Sequence, residues 1–327
     1  MKTLFKQREA LLSILIVVMT LAVATITADF ISLANLVIVY NDTAILIILA
    51  LGQMLVIITR CIDLSVAANL AFTAMVVSML NSQFPEIPVV FLLIIGALLG
   101  MCLGMINGLL VWKLGIPAIV VTLGTMSIYR GAVFLLSDGK WVNAHEMSES
   151  FIDIPRYVLL GLPLMAWLSI LMIAVMYYFS RYQRTGREIF AAGNSPVAAF
   201  YCGMDVGKLQ FKAFTISGLL AGLCGYLWAS RYAVAYVDVA AGFELQVIAA
   251  CVIGGISIMG GVGTVLGCVL GALFLGVINN ALPVIGISPF WQMAISGAVI
   301  VIAVVVNTRA EQGHTRIILK KATLKAA

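Results

Sequence analysis

Residues 245–308 read LQVIAACVIGGISIMGGVGTVLGCVLGALFLGVINNALPVIGISPFWQMAISGAVIVIAVVVNT, without a single Asp, Glu, Lys or Arg. About 20 apolar residues cross a bilayer core as a helix, so a run of this length holds three crossings. The run is continuously apolar rather than alternating, and a backbone in lipid must pair within its own segment, which favours helices over a β-barrel. This stretch therefore predicts a polytopic, all-α membrane protein.

The rest of the chain repeats the pattern. Of its 327 residues 63% are hydrophobic and 10% are charged, whereas soluble domains carry about 25% charged residues. We expect a single transmembrane domain over residues 1–327. The charge-free segments predict ten spans, at 11–28, 43–59, 64–80, 89–112, 117–136, 158–179, 211–230, 244–259, 262–281 and 289–306.

The N-terminus has two interpretations. Lys2, Lys6 and Arg8 precede an apolar run, as in a signal peptide, and Ala24 and Ala28 suggest a cleavage site. The run is long for a signal peptide and more spans follow, which favours an uncleaved first helix.

The basic residues predict the orientation. With the N-terminus in the cytoplasm, fifteen of the nineteen Lys and Arg residues fall on that side. Basic residues collect in cytoplasmic loops, so we expect both termini inside, with 307–327 a basic tail near anionic lipid rather than a nucleic-acid-binding segment. The outer loop 137–157 is mildly acidic. Its charges suit either the binding of a partner or a solute entrance, or simply the solvation of an exposed loop.

Catalytic and cofactor chemistry find no support in the sequence. The six cysteines form no CxxC pair, and His145 and His314 are far apart, so we predict no metal site. The stretch GGISIMGGVGTVLG (254–267) lacks the lysine of a phosphate-binding loop. It is better interpreted as helix packing with a tight turn near Gly260 and Gly261, and we predict neither a cofactor nor an enzyme.

Residues 186–209 form the longest predicted cytoplasmic loop, with a helix start inside it. Ser195 is a suitable cap and Pro196 a suitable first helical residue, so we expect a short helix over 197–201, ended by Gly203. Phe200 and Tyr201 would be poorly placed in water. They dock either on the protein's own helix ends or on a separate cytoplasmic subunit, and the residue pattern leaves both open.

An internal repeat relates two parts of the chain. GMINGLL (104–110) and GVINNAL (276–282) match at Gly, Ile, Asn and Leu with an offset of 172. The matched helices are five spans apart and therefore run in opposite directions, as in inverted-repeat transporters. We expect spans 2–5 and 7–10 to be related halves. Glycine ridges predict close helix packing, at Gly96, Gly100 and Gly104 and at Gly267 and Gly271.

Polar residues within the spans are the candidates for a solute path, although each is also a candidate for an interhelical hydrogen bond. The path candidates are Gln53, Asn69, Asn107, Thr122, Asn279 and Asn280. Trp228 and Phe243 either belong to an aromatic belt or line a mouth. Asp63 either pairs with Arg60 or caps the third span.

Five motifs occur together and in order, and they cover essentially residues 40–306. They are TRCIDLSV (59–66), GIPAIVVTLGT (115–125), AGN (192–194) with Ala198, Ala199 and Gly203, SGLLAG (217–222) and IGGISIMGG (253–261). With them the chain resembles the permease subunits of bacterial ABC importers for ribose-type sugars and autoinducer-2. Arg60 and GKW (139–141) resemble the autoinducer-2 branch most, with rhamnose-type permeases next.

The resemblance implies ten helices per subunit, a second permease subunit, identical or not, a cytoplasmic ATPase, a periplasmic binding protein and the inner membrane. It also implies that the inner loop is the ATPase-coupling helix. The coupling residues expected here are Ala192, Gly193, Asn194, Ser195, Pro196, Ala198, Ala199, Phe200 and Gly203. The family commonly has glycines where Arg60, Cys61 and Ala67 stand. The backbone conformation near Asp63 is therefore not expected to follow the family pattern.

The predicted function is import of a small sugar or sugar-like signal, with autoinducer-2 favoured, powered by the separate ATPase. The alternative is an ion-coupled secondary transporter, but such proteins usually keep ionisable groups at mid-membrane, and these spans hold few. A membrane enzyme is a weaker alternative because no catalytic constellation supports it.

Overall fold

The computed structural model describes the backbone of residues 2–288 and of residues 291, 294, 295, 297, 298 and 301, with side chains from Glu9 onward. The described chain is predominantly helical. Its α-helices are α1 (Lys2–Ala24), α2 (Leu33–Ile58), α3 (Val66–Gln83), α4 (Val89–Leu114), α5 (Ala118–Ser137), α6 (Glu149–Asp153), α7 (Leu164–Tyr182), α8 (Arg184–Asn194), α9 (Pro196–Tyr201), α10 (Val206–Tyr232), α11 (Phe243–Ile253) and α12 (Val265–Val284).

Four two-residue strands lie in the connections. β1 (Val142–Asn143) pairs antiparallel with β4 (Val234–Ala235), and β2 (Val158–Leu159) pairs antiparallel with β3 (Leu162–Pro163).

α2 and α10 form the centre of the bundle. α2 is apolar on all sides, as expected of a helix that is enclosed by others, and every residue from Thr43 to Ile58 is buried. It packs against α10, α11, α12 and α7, and α10 also packs against α3 and α4. The lipid-facing helices therefore surround a core built on these two.

A glycine seam joins α4 to α10. A Cβ added at Gly100 or Gly104 would collide with backbone atoms of Gly218 or Gly222. Two helices whose glycines face each other approach closely enough for backbone-to-backbone packing. The seam confirms the predicted ridge on α4, and the second predicted ridge, Gly267 and Gly271, packs in the same way against α11.

Nine of the ten predicted spans overlap helices of the described residues. Six of these helices, α2, α4, α5, α7, α10 and α12, are long and apolar enough to cross a membrane. The span predicted at 289–306 lies mostly outside the described residues, as does the basic tail at 307–327. The structure therefore supports a multi-span helical protein without establishing the number ten.

Several predicted spans differ from the helices by more than a few residues at one end, and one of them is α2, which begins at Leu33 rather than at 43. Residues 158–163 form the β2–β3 hairpin, and α7 begins only at Leu164. The span predicted at 244–259 ends early, because α11 stops at Ile253 and the glycine-rich segment that follows turns back. Gly260 and Gly261 have φ values of +83° and +73°, which confirms the predicted tight turn.

The helices alternate in direction, so the bundle has two ends. The first, which we call the α8–α9 end, holds the last residues of α2, α4 and α7 and the 254–264 segment. The Thr264 hydroxyl bonds to the Glu9 carboxylate, so the start of α1 lies at this end too. The second, which we call the α6 end, holds the segment between α5 and α7 and the last turns of α10 and α12.

Candidate functional site

α8 is anchored to the bundle by small residues. The predicted loop is in fact helical over 184–194, and its buried residues are Gly186, Ile189, Ala192 and Gly193. A Cβ at Gly186 would collide with the carbonyl of Phe179 at the end of α7, and one at Gly193 with the carbonyl of Ile58 at the end of α2. Glycine at both positions therefore lets α8 lie directly on two helix ends.

Arg60 joins three elements at this junction. Its Nε donates to the Gly193 carbonyl at 2.8 Å and its Nη2 to the Asn194 carbonyl at 3.1 Å. These carbonyls end α8, where a helix favours positive charge. The Gly261 amide donates to the Ile58 carbonyl at 2.9 Å beside them. The end of α2, the end of α8 and the 260–261 turn are thereby held together.

α9 is the short helix predicted at 197–201. The Ser195 hydroxyl accepts a hydrogen bond from the Ala198 amide at 3.3 Å, Pro196 occupies the first turn, and Gly203 follows with φ +78°. Ala199 is buried, whereas Phe200 and Tyr201 are 71% and 82% exposed. Of the two alternatives, docking of these aromatic rings on the protein's own helix ends is therefore not seen within the described chain.

The exposed residues of α9 share one face. Val197, Phe200 and Tyr201 are spaced i, i+3 and i+4, which puts them side by side on a helix, and Val197 is 66% exposed. We call these three residues the α9 apolar face. On the opposite side α9 packs against α8 and α10, and the Ser195 hydroxyl caps its first turn.

The nine predicted coupling residues therefore separate into two groups. Three are buried and support the segment from behind, and six are partly or fully exposed. The buried group is Ala192, Gly193 and Ala199, and the other group is Asn194, Ser195, Pro196, Ala198, Phe200 and Gly203. Tyr201 and Val197 complete the exposed surface.

The six predicted path residues lie in three separate places. One group surrounds the loop between α2 and α3. The Asn107 amide donates to the Ser65 hydroxyl at 2.8 Å, Thr122 donates to the Ile62 carbonyl at 3.2 Å, and Asn69 donates to the Gly100 carbonyl at 3.0 Å. These bonds tie α3, α4 and α5 together, as buried polar side chains commonly do between membrane helices.

Asp63 belongs to the same network. Its carboxylate accepts hydrogen bonds from the Ser65 amide at 2.9 Å and hydroxyl at 2.7 Å, which favours the capping alternative over an Arg60 pair. The loop lies outside the helices, yet Asp63 is only 2% exposed. Burial raises the pKa of this carboxyl to about 6, against the lowering effect of the Ser65 hydrogen bonds.

Gln53 stands apart on α2. It is fully buried, and neither its amide nitrogen nor its amide oxygen has a hydrogen-bond partner. An unpartnered amide in a protein interior is costly. Gln53 therefore shares no hydrogen bond with the network of Asp63 or with the remaining two path residues.

Asn279 and Asn280 line a cavity near the α6 end. It also contains an Asp42–Arg231 ion pair and the rings of Trp228 and Phe243. The alternative that Trp228 and Phe243 line a mouth therefore has structural support. Sequence reasoning did not select Asp42 or Arg231, because the two are 189 residues apart in the chain.

Residues 35–304 match the family described as the permease component of a branched-chain amino acid transport system. The chain belongs to this family. It is the permease component of a transport system, and its apolar helices are those of a multi-pass membrane protein.

Relatives cover almost the whole permease. It is 36% identical over 310 residues to the autoinducer 2 import system permease protein LsrC of Photorhabdus luminescens, which covers 94% of this chain and 92% of the relative. It is also 36% identical to LsrC of Enterobacter sp. (strain 638), over 97% of this chain and 91% of that relative. It is 34% identical to LsrC of Escherichia coli (strain K12 / DH10B), over 94% of this chain and 89% of that relative. No solved structure matches the chain.

Proposed function

We propose that this permease is the membrane subunit of an ATP-binding-cassette importer that moves autoinducer-2 across the inner membrane. The observation that carries the proposal is the identity of 34–36% to autoinducer 2 import permeases over nearly the full length of both chains. The family description names branched-chain amino acids, whereas the relatives that match along nearly the whole chain are permeases for autoinducer 2, and we take those as the guide to the solute.

The energy source in this proposal is a separate cytoplasmic ATPase that docks on the α9 apolar face. Three adjacent apolar side chains, each more than half exposed, are unfavourable in water and suit a protein partner. Arg60 and Gly193 support the segment rigidly from the ends of α2 and α8, so a displacement of α9 is passed to the bundle. A periplasmic binding protein and a second permease complete the importer.

The proposed orientation puts both termini and α8–α9 in the cytoplasm. Its support is the clustering of basic residues, together with the Thr264–Glu9 bond that brings residue 9 to the α8–α9 end. The segment 137–157 then faces the periplasm, where the binding protein delivers the solute.

We further propose that spans 2–5 and 7–10 are inverted repeats. Support comes from matching packing partners: α4 packs on α10 as α12 packs on α2, and α3 packs on α4 as α11 packs on α12. In such transporters the solute path lies at the interface between the repeats.

Uptake by reconstituted vesicles tests the energy source. Vesicles that contain the permease, its partner permease, the ATPase and the binding protein should accumulate autoinducer-2 only when ATP is present on the side of the membrane that carries the ATPase. Uptake that continues without the ATPase and collapses with an ion gradient would instead establish the secondary transporter.

Phe200→Asp tests the docking face. We expect the ATPase to stop co-purifying with this variant, because a carboxylate would be buried without a partner at the interface, while membrane insertion is unchanged. Phe84→Asp is the matched control, since Phe84 is 55% exposed but lies at the α6 end. Equal loss of ATPase in both variants, or in neither, would contradict docking at α9.

A further inference from the structure

A cavity of about 220 Å³ opens one helical turn below the α6 end, between α2, α10, α11 and α12. Trp228 lies four residues before the end of α10, and Asn280 four residues before the end of α12. The volume of the cavity suits a small molecule rather than a drug-sized ligand, because pockets for drug-sized ligands measure roughly 300–1,000 Å³.

Aromatic rings form one side of the cavity. The Trp228 and Phe243 rings meet edge to face with centroids 5.2 Å apart, and Tyr232 packs against Trp228 at 4.9 Å. Such rings hold each other in fixed orientations. They offer an apolar surface to the carbon skeleton of a ligand.

Polar groups form the other side. Asp42 and Arg231 are ion-paired, and their side chains are 27% and 28% exposed, so both remain reachable. Asn280 and Thr43 lie nearby, and Asn279 is held by a hydrogen bond to Gln246 at 3.2 Å. The ion pair is neutral as a whole, so the cavity provides several hydrogen-bonding groups without a net charge.

The short helix α11 begins at this cavity. Phe243, which lines the cavity, is its first residue, and the helix has only 11 residues. At 1.5 Å per residue it spans roughly 16 Å, about half of the bilayer core. Interrupted helices of this kind commonly mark the solute site of a membrane transporter.

We propose that the cavity around Asp42, Trp228, Arg231 and Asn280 is a subsite for a small, uncharged, polyhydroxylated solute. The aromatic rings cover the carbon skeleton of the solute. Its hydroxyl groups form hydrogen bonds with the Asp42–Arg231 pair and with the asparagine amides. The inference rests on the proposed import function, to which it adds the place where the solute first contacts this subunit. Leucine has no hydroxyl groups for these hydrogen-bonding partners, so it is the competitor that discriminates between the two solute classes.

Solute protection of an introduced cysteine tests the subsite. Asn280→Cys and the control Phe84→Cys are made in a chain whose exposed Cys102 and Cys202 are serines, and each is assembled with the complete importer. A membrane-impermeant methanethiosulfonate is added from the α6 side with autoinducer-2, D-ribose, xylitol or leucine. We expect the polyhydroxylated compounds to slow the labelling of Asn280→Cys at least about fivefold, leucine to have no effect, and the labelling of Phe84→Cys to stay constant.

Transport kinetics give the second measurement. Trp228→Leu should raise the half-saturating solute concentration about tenfold, the loss of one aromatic contact, with little change in maximal rate. Trp167→Leu, outside the cavity, should change neither value.

The outcomes separate the subsite from the function. ATP-driven uptake without protection of Asn280→Cys, or protection by leucine alone, would overturn the subsite and leave the importer standing. Protection by polyhydroxylated compounds without ATP-driven uptake would support the subsite and overturn the importer.

Discussion

Arg60 adopts a backbone conformation that favours glycine, with φ +66°. For an ordinary residue this conformation costs about 1 kcal/mol or more. The cost is offset here by two charge-assisted hydrogen bonds to the end of α8, each of a kind that contributes about 1.5–3 kcal/mol when well shielded and less at an exposed site. A glycine at this position would relieve the backbone but leave the α8 carbonyls without the guanidinium.

Asp63 should make the stability of the permease depend on pH. Its carboxyl binds a proton more tightly in the folded protein, where its pKa is about 6, than in the unfolded chain, where an Asp pKa is about 3.9. Between these values the folded state holds more protons, so the free energy of unfolding falls as the pH rises from about 4 to 6. Over this pH range we expect the free energy of unfolding of the Asp63→Asn variant to fall by up to about 3 kcal/mol less than that of the wild type.

Thermal unfolding of the purified protein in detergent, followed from pH 4 to pH 7.5, measures the effect. The wild type and Asp63→Asn should unfold at similar temperatures at pH 4 and diverge above it, with the variant more stable at pH 7. A difference between them that stays constant over the whole range would show that Asp63 does not titrate in the folded protein.

At the scale of elements, the α4–α10 seam has no room for side chains. Gly218→Leu would force its side chain into the backbone of Gly100 and Gly104, so we expect it to destabilise the protein by about 3 kcal/mol or more. Gly124→Leu is the control, because no atom lies within 4 Å of its added Cβ. Size-exclusion profiles and unfolding temperatures of the two variants in detergent compare them directly, and equal tolerance of both leucines would refute the seam.

Local chemistry explains which elements are predictable from the sequence. α9 follows from Ser195, Pro196 and Gly203, whose capping roles involve residues within a few positions. α8 does not, because the glycines at 186 and 193 that weaken its helical propensity are required by contacts with Phe179 and Ile58. α11 was predicted too long for a similar reason: Gly254 packs against Gly267, a contact that apolar composition does not reveal.

At the scale of the whole molecule, the proposed topology makes the native Cys202 a reporter. It is exposed next to α9, so an impermeant maleimide should label it in inverted vesicles and not in cells whose outer membrane is permeabilised. His145→Cys, in the exposed segment at the α6 end, should show the opposite pattern. Labelling of both cysteines from one side would refute the assignment of the two ends.

The class of the protein could be predicted from composition, whereas the grouping of its polar residues could not. A charge-free run such as 245–308 admits few structures other than membrane helices. Asn107 and Asn279 match in the internal repeat and lie towards opposite ends of the bundle, as an inverted repeat would place them, but the repeat does not reveal their partners, Ser65 and Gln246. Which helix faces which is decided by packing between residues far apart in sequence, and the Asp42–Arg231 pair has the same origin.

The shortness of α11 has a mechanical consequence. One end of this helix leads into the 260–261 turn, which touches Asn194 of α8, and the other end carries Phe243 in the cavity wall. A helix of 11 residues is stiff over its length, so a displacement of its Ile253 end moves Phe243 as well. In the proposed importer, this helix of about 16 Å and the short segment that follows it link the α8–α9 end, where the ATPase docks, to the wall of the cavity.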